Sequence, residues 1–177
     1  MPQVFVAAGS NVAPHEHMAL ATCELAKAFP DVRFSPWYQN RAAGFEGADF
    51  INLVAAFTTG LGIDELLVVL RTIETRCGRP REAPRWAPRT MDLDVLLYGD
   101  LVCRRPDLIV PRPDLLVRAY MLGPLADLAP DLVHPGAGVT IAELWRHFDQ
   151  GAHPLRPVAH DPTIQRCDLH QPRGSGP

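Results

Sequence analysis

The strongest chemical signal in the chain is the stretch Glu74–Gly99, E-T-R-C-G-R-P-R-E-A-P-R-W-A-P-R-T-M-D-L-D-V-L-L-Y-G. Its second half, Met91–Tyr98, is an apolar run with branched and aromatic residues that Gly99-Asp100 ends, and so reads as a β-strand. Side chains alternate faces along a strand, so Asp92 and Asp94 point the same way, with Cα atoms about 6.8 Å apart. No lysine lies nearby to pair with them, and the two carboxylates repel each other unless a cation sits between. Mg²⁺ suits such a pair because it takes hard oxygen ligands and completes its shell with water and substrate phosphates. The first half supplies the opposite charge: Arg76, Arg79, Arg81, Arg85 and Arg89. Guanidinium groups bind phosphate bidentately and keep their charge. Each feature alone has an ordinary explanation, the aspartates as a solvated strand edge and the arginines as surface. Their contiguity is what phosphoryl or diphosphoryl transfer from a nucleotide requires, so the stretch is read as a phosphate-handling site.

The rest of the composition narrows the alternatives. At 177 residues and 19.5 kDa, one domain with a sizeable core is expected. A net charge of −3 makes no electrostatic case for a nucleic-acid or membrane partner. An RNA-binding sandwich is disfavoured on the same ground. Cys23, Cys77, Cys103 and Cys167 stand far apart, with no Cys-x-x-Cys, and read as reduced thiols of a cytoplasmic protein. No N-terminal signal pattern and no membrane-spanning apolar run is evident. Lys27 is the only lysine, which rules out a P-loop and a protein-kinase lysine. A nucleotide would have to be held by arginine and metal.

The elements that must position these groups follow from periodicity. Gln3–Ala8 is an apolar strand running into Gly9-Ser10-Asn11, a turn read as mainly structural. Pro14–Phe29 is an amphipathic helix with Met18, Ala21, Leu25 and Ala28 on one stripe. Within it His15 and His17 fall on different faces and make poor metal ligands. Val32–Tyr38 and Phe50–Thr59 are strands; in the second, Phe50 and Asn52 share a face. Gly62–Cys77 is a helix with Ile63, Leu66, Leu67, Leu70 and Ile73 inward. Gln39–Asp49 and the proline-bearing Arg79–Thr90 are loops. Trp86 in the latter is either a core anchor or a flap over a ring. After Asp100 come short extended pieces, the Pro111-Arg112-Pro113 turn, a proline-interrupted apolar stretch from Met121 to Leu132 and a helix over Ile141–Phe148. The order β-α-β-β-α-β predicts an α+β, ferredoxin-like sandwich, an antiparallel sheet with helices on one face and the later material at an edge. Residues 1–149 form a single domain, and from Gln150 a loose tail is expected.

The motif R-W-A-P-R-T-M-D-L-D-V-L-L-Y-G resembles the signature of the 6-hydroxymethyl-7,8-dihydropterin pyrophosphokinases of the folate pathway. The resemblance extends from Val4 to about Phe148. It implies the same core fold and transfer of diphosphate from ATP to the hydroxymethyl oxygen of the dihydropterin, giving AMP and the pterin diphosphate. By this resemblance Asp92 and Asp94 hold two Mg²⁺ ions between ATP oxygens and the acceptor hydroxyl. Arg79 and Arg89 match the arginines that neutralise the transferring phosphates, and Glu74, Arg81 and Arg118 match ATP-side positions. Trp86 matches a flap that closes the site over both substrates. Asn52 matches the residue that hydrogen-bonds the pterin edge, while Phe50 and Tyr120 match the aromatics that sandwich its ring.

The chain departs from the family pattern at three places. Arg112 stands where a histidine commonly helps bind ATP, and Glu82 lies where some members have a base. The Gln39–Asp49 loop lacks most of the usual pattern, leaving Phe45 to supply the lid's apolar contact. The expected partners are small molecules only, with no nucleic acid or membrane, and the expected state is a cytoplasmic monomer. The alternative is a paralogue of the same fold with an altered pterin-like substrate, or one that only binds.

Overall fold

The computed structural model describes residues 1–41, 47–78 and 90–159. Strand β1 (Gln3–Ser10) leads into helix α1 (Pro14–Ala28), then β2 (Arg33–Phe34), β3 (Trp37–Asn40), β4 (Phe50–Thr58) and helix α2 (Ile63–Arg76). Next come β5 (Asp92–Tyr98), the hairpin β6 (Cys103–Arg105) and β7 (Leu108–Val110), and a 3-10 turn over Pro113–Leu116. Helices α3 (Ala119–Leu128) and α4 (Ile141–His147) and strand β8 (Arg156–Val158) close the order. The main sheet is antiparallel in the order β5-β1-β4-β3-β8, with β2 also on β4. The expected β-α-β-β-α-β core is present, with β5 and β3 flanking the central pair β1 and β4.

Strand parity divides the core in two. On one face Val4, Val6 and Ala8 of β1, Leu53, Ala55 and Phe57 of β4, and Leu93 and Val95 of β5 pack with Met18 and Leu25 of α1 and Leu66 and Leu70 of α2. On the other face Phe5, Ala7, Val54, Ala56, Leu96 and Leu97 pack with Leu122 and Leu125 of α3 and Ile141 of α4. The expectation of helices on one face and later material at an edge is therefore corrected: α3 and α4 form a second layer. The physical reason is in the strands, whose runs V-F-V-A-A and I-N-L-V-A-A-F are apolar at odd and even positions alike and need cover on both sides.

Other expectations shift by small amounts. The strand read over Val32–Tyr38 is two pieces, because Ser35-Pro36 interrupts it and Ser35 Oγ accepts the Val54 N–H. Ala28 lies exposed at the end of α1. The segment from Gln150, expected to be loose, contains β8, paired with β3. Gly123 of α3 faces it closely: a Cβ there would meet Leu155 at 2.8 Å and Trp145 at 3.1 Å. Cys23, Cys77 and Cys103 are free thiols. Among the described residues no helix is long and apolar enough to cross a membrane.

Candidate functional site

The second face changes character toward one end of the sheet. Across three strands Asp94 pairs with Ala7 and Ala7 with Val54; one row further along, Asp92 pairs with Gly9, Gly9 with Asn52, and Asn52 with Tyr38. Apolar residues thus give way to a row of acid, gap, amide and phenol. Strand spacing places the Asp92 and Asn52 backbones about 10 Å apart, with Gly9 between. Gly9 is a strand residue, where the sequence suggested a turn. A Cβ at Gly9 would stand 2.6 Å from Asn52 Oδ1, so the missing side chain is what lets Asn52 lie across β1. Asn52 is buried at 6 % exposure and its Nδ2 donates to Asn40 Oδ1. Phe50 shares this face two residues before Asn52 and packs beside Gly9.

The overlying wall comes from α3. Tyr38 hydroxyl donates to Asp127 Oδ2 at 2.7 Å, tying β3 to α3. Burial, then that carboxylate, pushes the Tyr38 phenol up to about 12, so it stays a donor at neutral pH. Tyr120, in the first turn of α3, packs against the second-face core. Burial pushes the Tyr120 phenol above its ordinary value as well. Arg118 immediately precedes the helix, its Nε 4.0 Å from Asp114 Oδ1.

The outer edge of β5 carries the charge. Glu74 Oε1 accepts the Leu93 N–H at 2.8 Å, so this residue, expected on the ATP side, ties α2 to the strand between the two aspartates. Arg112 N–H donates to Leu96 O at 2.9 Å, and its Nη1 lies 3.1 Å from Asp94 Oδ1. The sequence shows no lysine near the aspartates; a cation that meets Asp94 is an arginine 18 positions on in sequence, invisible to a local search. Arg112 Nε is also 3.3 Å from Asp114 Oδ2.

Two cavities open beside these elements. One, about 520 Å³, runs along β5 between Leu67 of α2 and Leu108 and Ile109 of β7, with Asp94, Arg112 and Asp114 at its polar end. The other, about 550 Å³, lies between Asn40, Arg118, Tyr120 and the segment before and into β8, including Arg156. The donor set fits Mg²⁺: two hard carboxylates from one strand face, partly exposed, with no third His, Cys, Asp or Glu clustered on them among the described residues. Remaining ligands would have to be water and substrate oxygens, which is how Mg²⁺ is usually held.

The structure therefore brings together Asp92, Asp94, Asn52 and Phe50 on one sheet face, Arg118 and Tyr120 above it, and Glu74 and Arg112 at its edge. Phe45, Arg79, Arg81, Glu82, Trp86 and Arg89 lie outside the described residues. Sequence reasoning did not find Gly9, Asn40 or Asp114. Only the strand register reveals the first two, and only the fold of the turn after β7 reveals the third.

The family model described as 7,8-dihydro-6-hydroxymethylpterin-pyrophosphokinase matches residues 5–130. A 2-amino-4-hydroxy-6-hydroxymethyldihydropteridine pyrophosphokinase of Pseudomonas aeruginosa is 42% identical over 137 residues, covering 75% of this chain and 84% of that one. One from a Synechocystis species is 37% identical over 147 residues, covering 81% of this chain and 75% of that protein. Among solved structures, a Plasmodium falciparum HPPK-DHPS with bound pteroate superposes with a TM-score of 0.67 at 13% identity, over 82% of this chain. This chain spans 42% of that protein's length, and the likeness speaks to the fold alone.

Proposed function

We propose, from the premise that this chain belongs to the 7,8-dihydro-6-hydroxymethylpterin-pyrophosphokinase family, that it transfers diphosphate from ATP to 6-hydroxymethyl-7,8-dihydropterin in folate biosynthesis. The hydroxymethyl oxygen forms a bond to the β-phosphorus, the bond from that phosphorus to the oxygen bridging to the α-phosphate breaks, and AMP leaves with that oxygen. The acceptor's hydroxyl proton is released. The observation that carries this reading is the sheet row in which Asp92 and Asn52 flank Gly9, with one cavity beside Asp94 and Arg112 and a second beside Asn40 and Tyr120.

In this reading the pterin edge is held by Asn52, whose amide carries both donor and acceptor. The ring lies between Phe50 and Tyr120, with Phe45 and Trp86 as further contacts. Gly9 keeps Asn52 in place and Tyr38–Asp127 keeps α3 over the ring. The nucleotide lies along β5, its base in the cavity beside Leu67 and Leu108 and its phosphates toward Arg112 and Arg118, with Arg79, Arg81 and Arg89 completing the cationic shell and Glu74 fixing the strand. Asp92 and Asp94 would hold two Mg²⁺ ions, which supply charge stabilisation for attacking and leaving oxygens. The same reading takes residues 1–149 as one catalytic domain, to which β8 adds an edge strand, and the enzyme as a cytoplasmic monomer.

AMP release from ATP, measured with and without the dihydropterin in the presence of Mg²⁺, tests this. Release that requires the pterin is expected. Pterin-independent nucleotide hydrolysis, or no AMP at all, would refute it.

A further inference from the structure

Arg112 is fixed by its backbone and shared by its side chain. The N–H bond to Leu96 O holds its Cα beside the outer edge of β5. From there the guanidinium reaches two carboxylates, Asp94 through Nη1 at 3.1 Å and Asp114 through Nε at 3.3 Å. Nε is buried yet makes no hydrogen bond among the described residues, so Asp114 holds it by charge and not by directed geometry. Side-chain exposures of 33% for Arg112 and 24% for Asp94 make this neither a sealed core bridge nor a loose surface contact.

Asp94 cannot serve this arginine and a divalent cation at full strength together. A metal ligated by Asp94 would sit about 2.1 Å from a carboxylate oxygen and would repel a guanidinium held against the same group. We infer that Arg112 is the resident counter-ion of Asp94 in the empty enzyme, a positioning residue that metal and nucleotide must jointly displace. Asp114 gives the displaced guanidinium a second anchor without moving the backbone, and the incoming phosphates give it a third. Metal arriving alone must evict a cation and gains no new anion to offset that. Metal arriving with nucleotide brings the anion with it. Binding of the two is thereby coupled, and the aspartates do not collect stray divalent ions between turnovers.

The inference rests on reading Asp92 and Asp94 as the metal site, and the test separates the two. Mn²⁺ is titrated by electron paramagnetic resonance into the full chain without nucleotide, for wild type, Arg112→Gln and Arg112→Lys, each with and without Asp94→Asn. Arg112→Gln should bind Mn²⁺ about fivefold tighter than wild type, because a competing charge is gone. Arg112→Lys keeps the charge and should stay within about twofold of wild type, given the small worth of a partly exposed pair. A merely structural arginine would give no gain in affinity when removed. Equal or weaker Mn²⁺ binding by Arg112→Gln, still reduced by Asp94→Asn, overturns the counter-ion role and leaves the metal site standing. Mn²⁺ binding that ignores Asp94→Asn in the Arg112→Gln background overturns the metal-site reading and the inference with it.

Discussion

Between α1 and α2, Glu24 is 7% exposed and both of its oxygens are taken, by Lys27 Nζ at 2.8 Å and Arg76 Nη1 at 2.5 Å. At the edge of β5, Asp94 meets Arg112 at 3.1 Å, and that arginine is itself divided with Asp114 at 3.3 Å. Both clusters are built from carboxylates and cations, and they differ in burial, distance and sharing. The first carboxylate is buried, with a short bond to each oxygen, and locks two helices. The second is partly exposed, at longer range, with a partner that has somewhere else to go. A buried ion cluster contributes stability and resists exchange; one nearer solvent, with a shared partner, is available to a ligand.

The contrast is broken most severely at the aspartates. Asp92→Ala or Asp94→Ala should lower pterin-dependent AMP formation by about 10³-fold, the scale of losing a major charge-stabilising group. The melting temperature should hardly move, since the site is not where stability resides. Near-normal turnover, or a melting transition lost along with activity, would make the two clusters alike. Arg89→Ala should cost about 10²-fold in kcat with a smaller loss of ATP affinity. If affinity falls as much as rate, Arg89 serves ground-state binding only.

A milder change sharpens the acceptor side. Gly9→Ala places a methyl 2.6 Å from Asn52 Oδ1 and must displace that amide. The expected result is a rise of about tenfold in KM for the pterin, the worth of one hydrogen bond, with KM for ATP unchanged. Equal shifts in both constants would mean that the sheet distorts as a whole.

The smallest effect on activity belongs to the helix clamp. Glu24→Gln should leave kcat and both KM values within about twofold yet lower stability by about 1–2 kcal/mol, given two charge-assisted bonds whose partners are well exposed. The Lys27 bond holds the Glu24 carboxyl below its ordinary range, burial opposes it, and Arg76 adds to the lowering. A carboxyl depressed in the folded state contributes stability that is present above its unfolded value and is lost as pH falls through the folded one. The gap between wild type and Glu24→Gln in thermal melts should therefore be full at neutral pH and close as the solution is acidified below the carboxylate range. A gap that persists in acid would show that packing, and not charge, is what Glu24 supplies.

Much of this division was legible in the chain. Asp92 and Asp94 share a face because strands alternate, and M-D-L-D-V-L-L-Y is a strand on local grounds alone. The order of the first six elements followed from periodicity for the same reason. What was not legible is what depends on pairing across the chain. Gly9 looked like a turn because a glycine's neighbour on the next strand cannot be read from its own strand. Arg112 looked like one more ATP-side arginine because its distance to Asp94 is set by a hairpin and a turn that intervene. The second helical layer was hidden because alternation in β1 and β4 is masked when both faces are apolar, and β8 because three residues with Pro157 in the middle carry too little pattern.

Diphosphate transfer leaves a product signature that no other nucleotide chemistry shares, and phosphorus NMR of the turnover mixture reads it directly. With Mg²⁺, ATP and 6-hydroxymethyl-7,8-dihydropterin, the expected result is AMP and a pterin-linked diphosphate appearing in equal amounts, abolished by Asp94→Asn. ADP with a pterin monophosphate, or AMP with free diphosphate, would contradict the assignment of this site.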